Sequence, residues 1–251
     1  MRMAIPLILP LLGLALAAAL WAVATLLLAA DTPILANFAP LEALRALSGL
    51  AIDPLMWSHI GVSLQRVAVG LAVALAIGVP LGILTGVSRA FAHTTTPLFQ
   101  FLRMISPLSW MSIAVMVLGV GDAPVYFLLA FAAVWPILLN TAAGVAQLDR
   151  NWLMLARSLS ATRSETIFRV VLPGIVAHIL SGVRLAIGII WIILVPAEML
   201  GVSAGLGYFI LDARDRLAYP DLMAAILIIG ALGFALDYAA RWLYQHWLHK
   251  R

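Results

Sequence analysis

The sequence predicts an all-α, polytopic membrane protein of six transmembrane helices, on three observations. Of its 251 residues, 64% belong to the AVILMFWYC set. Only 10% are Asp, Glu, Lys or Arg, where a soluble domain carries about 25%. The apolar residues gather in charge-poor runs of about 20, enough to cross a hydrocarbon core of about 30 Å as helix. So few charges cannot cover a compact unit against water, which excludes an ordinary soluble enzyme. The runs lack the alternation of barrel strands and are about twice the length that a tilted strand needs. Cysteine is absent, which removes disulfides, thiolate metal sites and cysteine nucleophiles together. The 15 Lys and Arg residues are scattered in ones and twos, as loop charges that set membrane orientation are, so no nucleic-acid surface is expected.

The first span, residues 4–30, contains no charge. It is too long for the h-region of a signal peptide, about 7 to 15 residues, and is expected to be kept as an anchor. Asp31 to His59 then reads as an exported loop with helical pieces around Pro40 to Ala51. Charge-free runs follow from about Val67 to Val87, Met104 to Gly121 and Pro124 to Val145. The fifth span, Pro173 to Leu200, holds Arg184 and Glu198; the sixth, Leu222 to about Trp242, holds Asp237 and Arg241. An even number of spans puts both termini on one side. That side also receives Arg2, Arg89, Arg103, the arginines of 150–169, Lys250 and Arg251, so both termini are expected in the cytoplasm. The whole chain, 1–251, reads as one transmembrane domain, with a core from 59 to 251 and a cytoplasmic loop at 146–171.

Gly78, Gly82 and Gly86 repeat every four residues around Pro80, a spacing that lets a neighbouring helix approach closely and points to helix packing. The loop 146–171 is amphipathic: Leu153, Leu155, Ala156, Leu159, Ile167, Phe168 and Val171 recur at helical spacing among Arg157, Arg163, Glu165 and Arg169. Two readings fit it equally, a docking surface for a cytoplasmic partner and an interfacial helix lying among lipid headgroups.

The stretch Ala156-Arg157-Ser158-Leu159-Ser160-Ala161-Thr162-Arg163, with Phe168 to Pro173 after it, resembles the EAA loop of binding-protein-dependent ABC importer permeases. Gly182 to Gly188, Ala197-Glu198-Met199-Leu200 and Gly205-Leu206-Gly207-Tyr208 follow in the order of the nitrate, sulfonate and taurine branch. The resemblance runs from about His59 to the C-terminus. It implies a type I ABC importer permease fold in a bacterial cytoplasmic (inner) membrane. It also implies a partner dimer of ABC ATPases that binds ATP and Mg, an exported solute-binding protein, and a second permease copy. A homodimer is the primary expectation and a heterodimer the alternative. The coupling loop would use Met154, Leu155, Ala156, Arg157, Leu159, Ser160, Ala161 and Arg163. Met154, Leu155 and Ser160 stand where the family has Glu, Ala and Gly, and Ser160 tolerates a positive-φ turn poorly, so the turn there is expected to differ or the helix to run on.

The only lysine is Lys250, so no Gly-x-x-x-x-Gly-Lys-[Ser/Thr] phosphate loop exists in this chain, and if ATP drives it the hydrolysis belongs to another polypeptide. Gly201 to Gly205 satisfies the Gly-x-Ser-x-Gly string, but a membrane span precedes it where a strand is required, so it reads as a turn and no catalytic residue is expected. His246 and His249 have no carboxylate partner in sequence, and no metal site is expected. Arg103 precedes Ser106-Pro107-Leu108-Ser109-Trp110, similar to a Pro-Leu-Ala-Trp stretch of nitrate and taurine permeases. Pro107 removes a backbone donor and is expected to bend the helix beside Arg103, which makes Arg103 a candidate anion contact; resemblance makes Ser106, Ser109 and Trp110 candidates for the translocation pathway, and the competing role for Arg103 is snorkelling to the cytoplasm. Arg184 and Glu198 lie about 21 Å apart along one helix and cannot pair there. Glu198 is a pathway candidate that would fix packing or a gate at the exported end, while Asp237 and Arg241, at i and i+4, are expected to form a helix-stabilising ion pair. The function read from all this is a permease subunit for a small anionic solute such as nitrate, a sulfonate or taurine. The alternative is a secondary transporter or channel driven by an ion gradient. On the first reading, Asp in place of Ala156 or Leu159 uncouples transport from ATP and leaves the bundle folded; substrate-stimulated ATPase activity of reconstituted complexes measures it.

Overall fold

Prolines and short polar caps mark where the apolar runs become helices. The computed structural model describes residues 5–249; Arg2, Lys250 and Arg251 lie outside the described residues. Among the described residues every regular element is helical. Among those residues five segments are long and apolar enough to cross a membrane, at Leu12–Ala30, Pro54–Val87, Asp122–Ala146, Arg163–Glu198 and Tyr219–His246. A sixth is counted when Arg89–Met104 and Pro107–Leu118, bent by 87°, are taken as one span.

One compact unit takes the chain up to Ile60 together with Phe209–Ala231. It holds α1 (Ile5–Asp31), a 3-10 turn at Pro33–Phe38, α2 (Pro40–Leu50) and the first turns of α3 (Pro54–Val87). Trp21 on α1 donates its indole N–H to the Phe38 carbonyl at 3.0 Å, and the Phe38 ring lies 4.7 Å from that of Tyr219. Pro40 opens α2 at a position where its missing N–H costs nothing. Asp53 starts α3 by accepting the Leu55 N–H at 2.8 Å, with Pro54 at the first helical position. The helix therefore begins 13 residues before the expected Val67, because the polar residues of 57–66 do not interrupt it.

The second unit takes Gly61–Tyr208 and the chain from Leu232 onward. It contains the rest of α3, then α4 (Arg89–Met104), α5 (Met111–Leu118), α6 (Asp122–Ala146), α7 (Arg150–Ser158), α8 (Arg163–Thr166), α9 (Leu172–Glu198), the start of α10 (Leu206–Asp215) and the end of α11 (Tyr219–His249). The expected third span, Met104 to Gly121, is corrected here. Pro107 cannot donate to the preceding turn, so α4 stops at Met104, a 3-10 turn spans Pro107–Trp110, and only the eight residues of α5 continue.

α6 is the centre of this unit, with Leu128, Leu129, Ala133, Ile137 and Leu138 without exposed surface. α3 lies against it through a ladder of glycines. A Cβ at Gly70 would meet Leu129, one at Gly78 Ile137, one at Gly82 Thr141 and one at Gly86 Val145, all within 2.4 to 3.0 Å. The offset is 59 residues at every rung, so α3 and α6 run parallel in fixed register, backbone against side chain. α9 packs antiparallel on α6, with Gly182 against Ile137 and Gly144 against His178. Ala186, Ile190, Leu194 and Ala197 fill the seam with Val125, Leu128 and Leu129.

Candidate functional site

The loop 146–171 is two short helices on a folded support. Asp149 caps α7 by accepting the Asn151 N–H at 2.9 Å. Thr162 and Glu165 form a reciprocal capping box that starts α8. Between them, Ala161 N–H bonds the Ala156 carbonyl at 3.0 Å and Ser160 N–H the Arg157 carbonyl at 2.9 Å. These are the two bonds of a Schellman stop, and Ser160 takes the left-handed position with φ 54°. The tight turn thus persists without the expected glycine, because both bonds hold a serine in a conformation that costs it about 1–2 kcal/mol.

α8 passes into α9 through a π-helical turn, Ile167–Val171, in which Leu172 N–H reaches back to the Ile167 carbonyl. The wider turn accommodates Pro173, which has no N–H to give. Val171 and Ile175 are buried with Val145, and Leu148 and Leu153 pack on them. Above this support lies an open apolar groove of about 430 Å³, lined among others by Trp152, Leu155, Leu159, Val170 and Pro173. Met154, Leu155 and Leu159 are exposed. Ala156 is only 6% exposed, which corrects the expectation of a surface position: an Asp there would bury a carboxylate, so the Leu159→Asp variant alone keeps the support intact.

A second polar constellation lies at the other end of the unit. Ser63 and Arg66 on α3, Asp122 at the first turn of α6, Glu198 at the end of α9 and the start of α10 converge. Glu198 has no exposed surface and the Arg66 side chain is 3% exposed. Arg66 donates from Nη1 to Glu198 Oε1 and to the Ala204 carbonyl, each at 2.7 Å. Its Nε and Nη2 donate to Asp122 Oδ1 at 3.0 and 2.6 Å. The Ser63 hydroxyl lies 2.8 and 2.9 Å from the two Glu198 oxygens and accepts the Leu206 N–H at 2.8 Å. Gly207 N–H completes Glu198 Oε2 at 2.9 Å. Two donors that the α10 N-terminus cannot satisfy internally are thus consumed, and the carboxylate sits at the positive end of the helix dipole. Gly205, at φ 114°, passes so close that a Cβ would lie 2.5 Å from Arg66 and Glu198.

Sequence reasoning missed Ser63, Arg66 and Asp122. The signal was Asp53-Pro54, a helix start that would have placed Arg66 inside the second span and marked it as a charge in need of a partner. Of the other candidates, Arg103 is exposed in the last turn of α4, and Ser106 and Ser109 are exposed at the bend. Trp110 lies 5.7 Å from the ring of Phe131, with its Nε1 buried and unpartnered. Glu198 has both oxygens engaged by Ser63, Arg66 and Gly207, in what acts as a clasp between α3, α9 and α10. Asp237 pairs with Arg241 as expected, and also with Arg184 at 3.4 Å.

A family model described as a binding-protein-dependent transport system inner membrane component matches residues 78–249. The chain is 40% identical over 196 residues to the bicarbonate transport system permease protein CmpB of Synechococcus elongatus, covering 77% of this chain and 69% of that one. It is 36% identical over 208 residues to the nitrate import permease protein NrtB of Leptolyngbya laminosa, with 79% and 74% covered. It is 30% identical over 223 residues to the taurine transport system permease protein TauC of Escherichia coli, with 88% and 81% covered. In fold it is similar to a chain of the inward-facing MetNI methionine ABC transporter, at a TM-score of 0.63 and 14% identity over 77% of this chain and 98% of that one.

The Ser160 turn yields a direct test. Ser160→Gly relieves the left-handed strain by about 1 kcal/mol, so the Ala161 amide, bonded across the turn, exchanges about fivefold more slowly in hydrogen-exchange measurements while the groove keeps its shape.

Proposed function

The chain belongs to the family of binding-protein-dependent transport system inner membrane components, and from that membership we propose that it carries a small oxyanion across the bacterial inner membrane. It is a permease subunit of an ABC importer and not an enzyme. Its family works with an ATPase, which hydrolyses ATP in a separate chain, and with a solute-binding protein.

The observation that carries the mechanism is the capped segment 149–171 with its exposed Met154, Leu155 and Leu159 around an open apolar groove. We assign this segment as the ATPase dock: Leu155 and Leu159 enter the partner, Arg157 and Arg163 flank the contact, and Ala156, Ser160 and Ala161 hold the turn. Closure of the ATPase dimer on ATP moves α7 and α8. Since α8, the π turn and α9 form one helical run of 36 residues, Arg163–Glu198, the displacement passes along α9 to the clasp at its far end. Gly78, Gly82 and Gly86 keep α3 in register with α6 as α9 shifts.

Both termini are cytoplasmic on this reading, which puts the dock inside and the clasp outside. The chain acts as one transmembrane domain over 1–251 and pairs with a second copy of itself, with lipid around the dimer. Arg103, Ser106, Ser109 and Trp110, at the bend between α4 and α5, line the route of the solute, and Glu198 fixes its exported end. The names of the relatives, bicarbonate, nitrate and taurine transport, support a small oxyanion or sulfonate.

Extraction of the chain from its native membrane in mild detergent, followed by identification of stoichiometric partners, tests the assembly. A P-loop ATPase and no second permease species are expected. A chain that comes down alone in several detergents and moves solute on an ion gradient without ATP overturns the reading.

A further inference from the structure

One helix of the second unit is polar along a single face. α4 and the segment that carries α5 qualify together as a membrane span, bent by 87°, yet α4 has no buried residue. His93, Thr96, Gln100 and Arg103 recur once per turn, within an arc of about 80° at 3.6 residues per turn. His93, Gln100 and Arg103 are exposed and Thr96 is half-buried. Among the described residues none of these four side chains has a hydrogen-bond or ion-pair partner. The threonines off the stripe behave differently: Thr94 and Thr95 return their hydroxyls to the Ala90 and Phe91 carbonyls at 2.9 and 2.8 Å.

The stripe ends beside the middle of α6. Phe99, one turn before Arg103, lies 6.0 Å from the ring of Trp135, and Trp110, beyond the break, lies 5.7 Å from that of Phe131. Along α6, Trp135 and Phe131 are about 20 and 14 Å from its start and about 16 and 22 Å from its end. Arg103 and the break are thereby bracketed at mid-length of a helix long enough to cross the bilayer, which sets aside snorkelling to the headgroups as the role of Arg103. A charge and a non-helical turn at that depth are not met against acyl chains; they are met where the chain lines a water-filled cavity.

At the break, Ser109 N–H bonds the Ser106 carbonyl at 3.0 Å, a three-residue step that puts both side chains on one side of the turn. Both are exposed. No Asp or Glu lies between Arg89 and Leu118, so the Arg103 guanidinium meets no counter-charge on its own segment and keeps its five N–H donors. We propose that the face of His93, Thr96, Gln100 and Arg103 lines a water-filled passage from the Arg89 end of α4 to the break, where Arg103, with Ser106 and Ser109, receives a singly charged oxyanion. One guanidinium balances one negative charge, whereas a dianion would keep a second one uncompensated at that depth. The inference deepens the importer reading and rests on it for the identity of the anion as solute.

The chain has no cysteine, so Gln100→Cys and Leu98→Cys each give a single reporter thiol, one on the stripe and one on an exposed face about 160° away around α4. The assembled complex in lipid nanodiscs is treated with methanethiosulfonate reagents, with labelling of this chain read by mass and each rate taken relative to a free thiol in solution. An anionic reagent is expected to modify Gln100→Cys about tenfold faster than Leu98→Cys, and about tenfold faster than a cationic reagent does. Nitrate slows the anionic reagent, and sulfate at the same ionic strength does not. Adding Arg103→Gln brings the anionic and cationic rates within about twofold and abolishes protection by nitrate, whereas Arg103→Lys keeps the preference. Equal rates at the two positions, a disulfide between two copies through Gln100→Cys, a preference that survives Arg103→Gln, or equal protection by sulfate would each overturn the proposal. Nitrate uptake by the complex in vesicles is read separately: its failure beside an intact preference and protection removes the solute assignment above and leaves the anion site standing.

Discussion

The unit around α6 depends on one constraint: a charge placed inside an apolar chain must be matched there. Arg66 and Glu198 are 132 residues apart in sequence and meet at 2.7 Å with almost no access to solvent. Neither could be left alone, since an unpaired ion at such a site costs about 3–5 kcal/mol. Matching them fixes more than the pair. Four of the five Arg66 N–H groups are used, and the carboxylate takes the Ser63 hydroxyl and the Gly207 N–H. The clasp therefore sets where α9 ends, how the chain turns through Gly205 and where α10 begins.

Below the clasp, α3 and α6 are registered by packing rather than by polar contacts. The constant offset of the glycine ladder makes α3 and α6 a rigid parallel pair, and lipid gives no hydrophobic drive for helix association, so close backbone approach supplies the contact energy instead. α9 also packs on α6, with small residues, Gly182, Ala186 and Ala197, along the seam. The segment of α7 and α8 is attached to α9 through the π turn without a loop between α8 and α9. A displacement of α7 and α8 thus acts on a helix whose other end is held by Glu198.

Much of this was legible in the sequence, and the failures have physical causes. Composition and run length identify the membrane helices because no water-exposed fold tolerates them. The amphipathic period of 150–171 shows the short helices α7 and α8. Pro107 was recognised as a bend, but the cost of its missing N–H ends the helix outright and leaves only eight residues beyond. Arg66 was lost because a hydropathy boundary is drawn at the first charge, whereas the helix starts at its cap, Asp53. Ser160 shows that a left-handed turn is dictated by its hydrogen bonds and not by the residue that best fits it. Ala156 was placed on the surface because helical spacing gives a face but not what covers it, and Val171 and Ile175 form a floor that only the tertiary structure brings beneath α7.

The central claim, that the Arg66–Glu198 pair is a matched clasp, is tested by a double-mutant cycle on the thermal stability of the purified complex. Arg66→Met is expected to destabilise by about 3–5 kcal/mol, because it leaves Glu198 buried with no counter-charge, and Glu198→Met by less, because Arg66 keeps Asp122. The combined variant should lose less than Arg66→Met alone, with a coupling of at least about 2 kcal/mol. Losses that simply add would contradict the account, since they would mean that the two charges are satisfied independently and that the Glu198 end of α9 is held by something else.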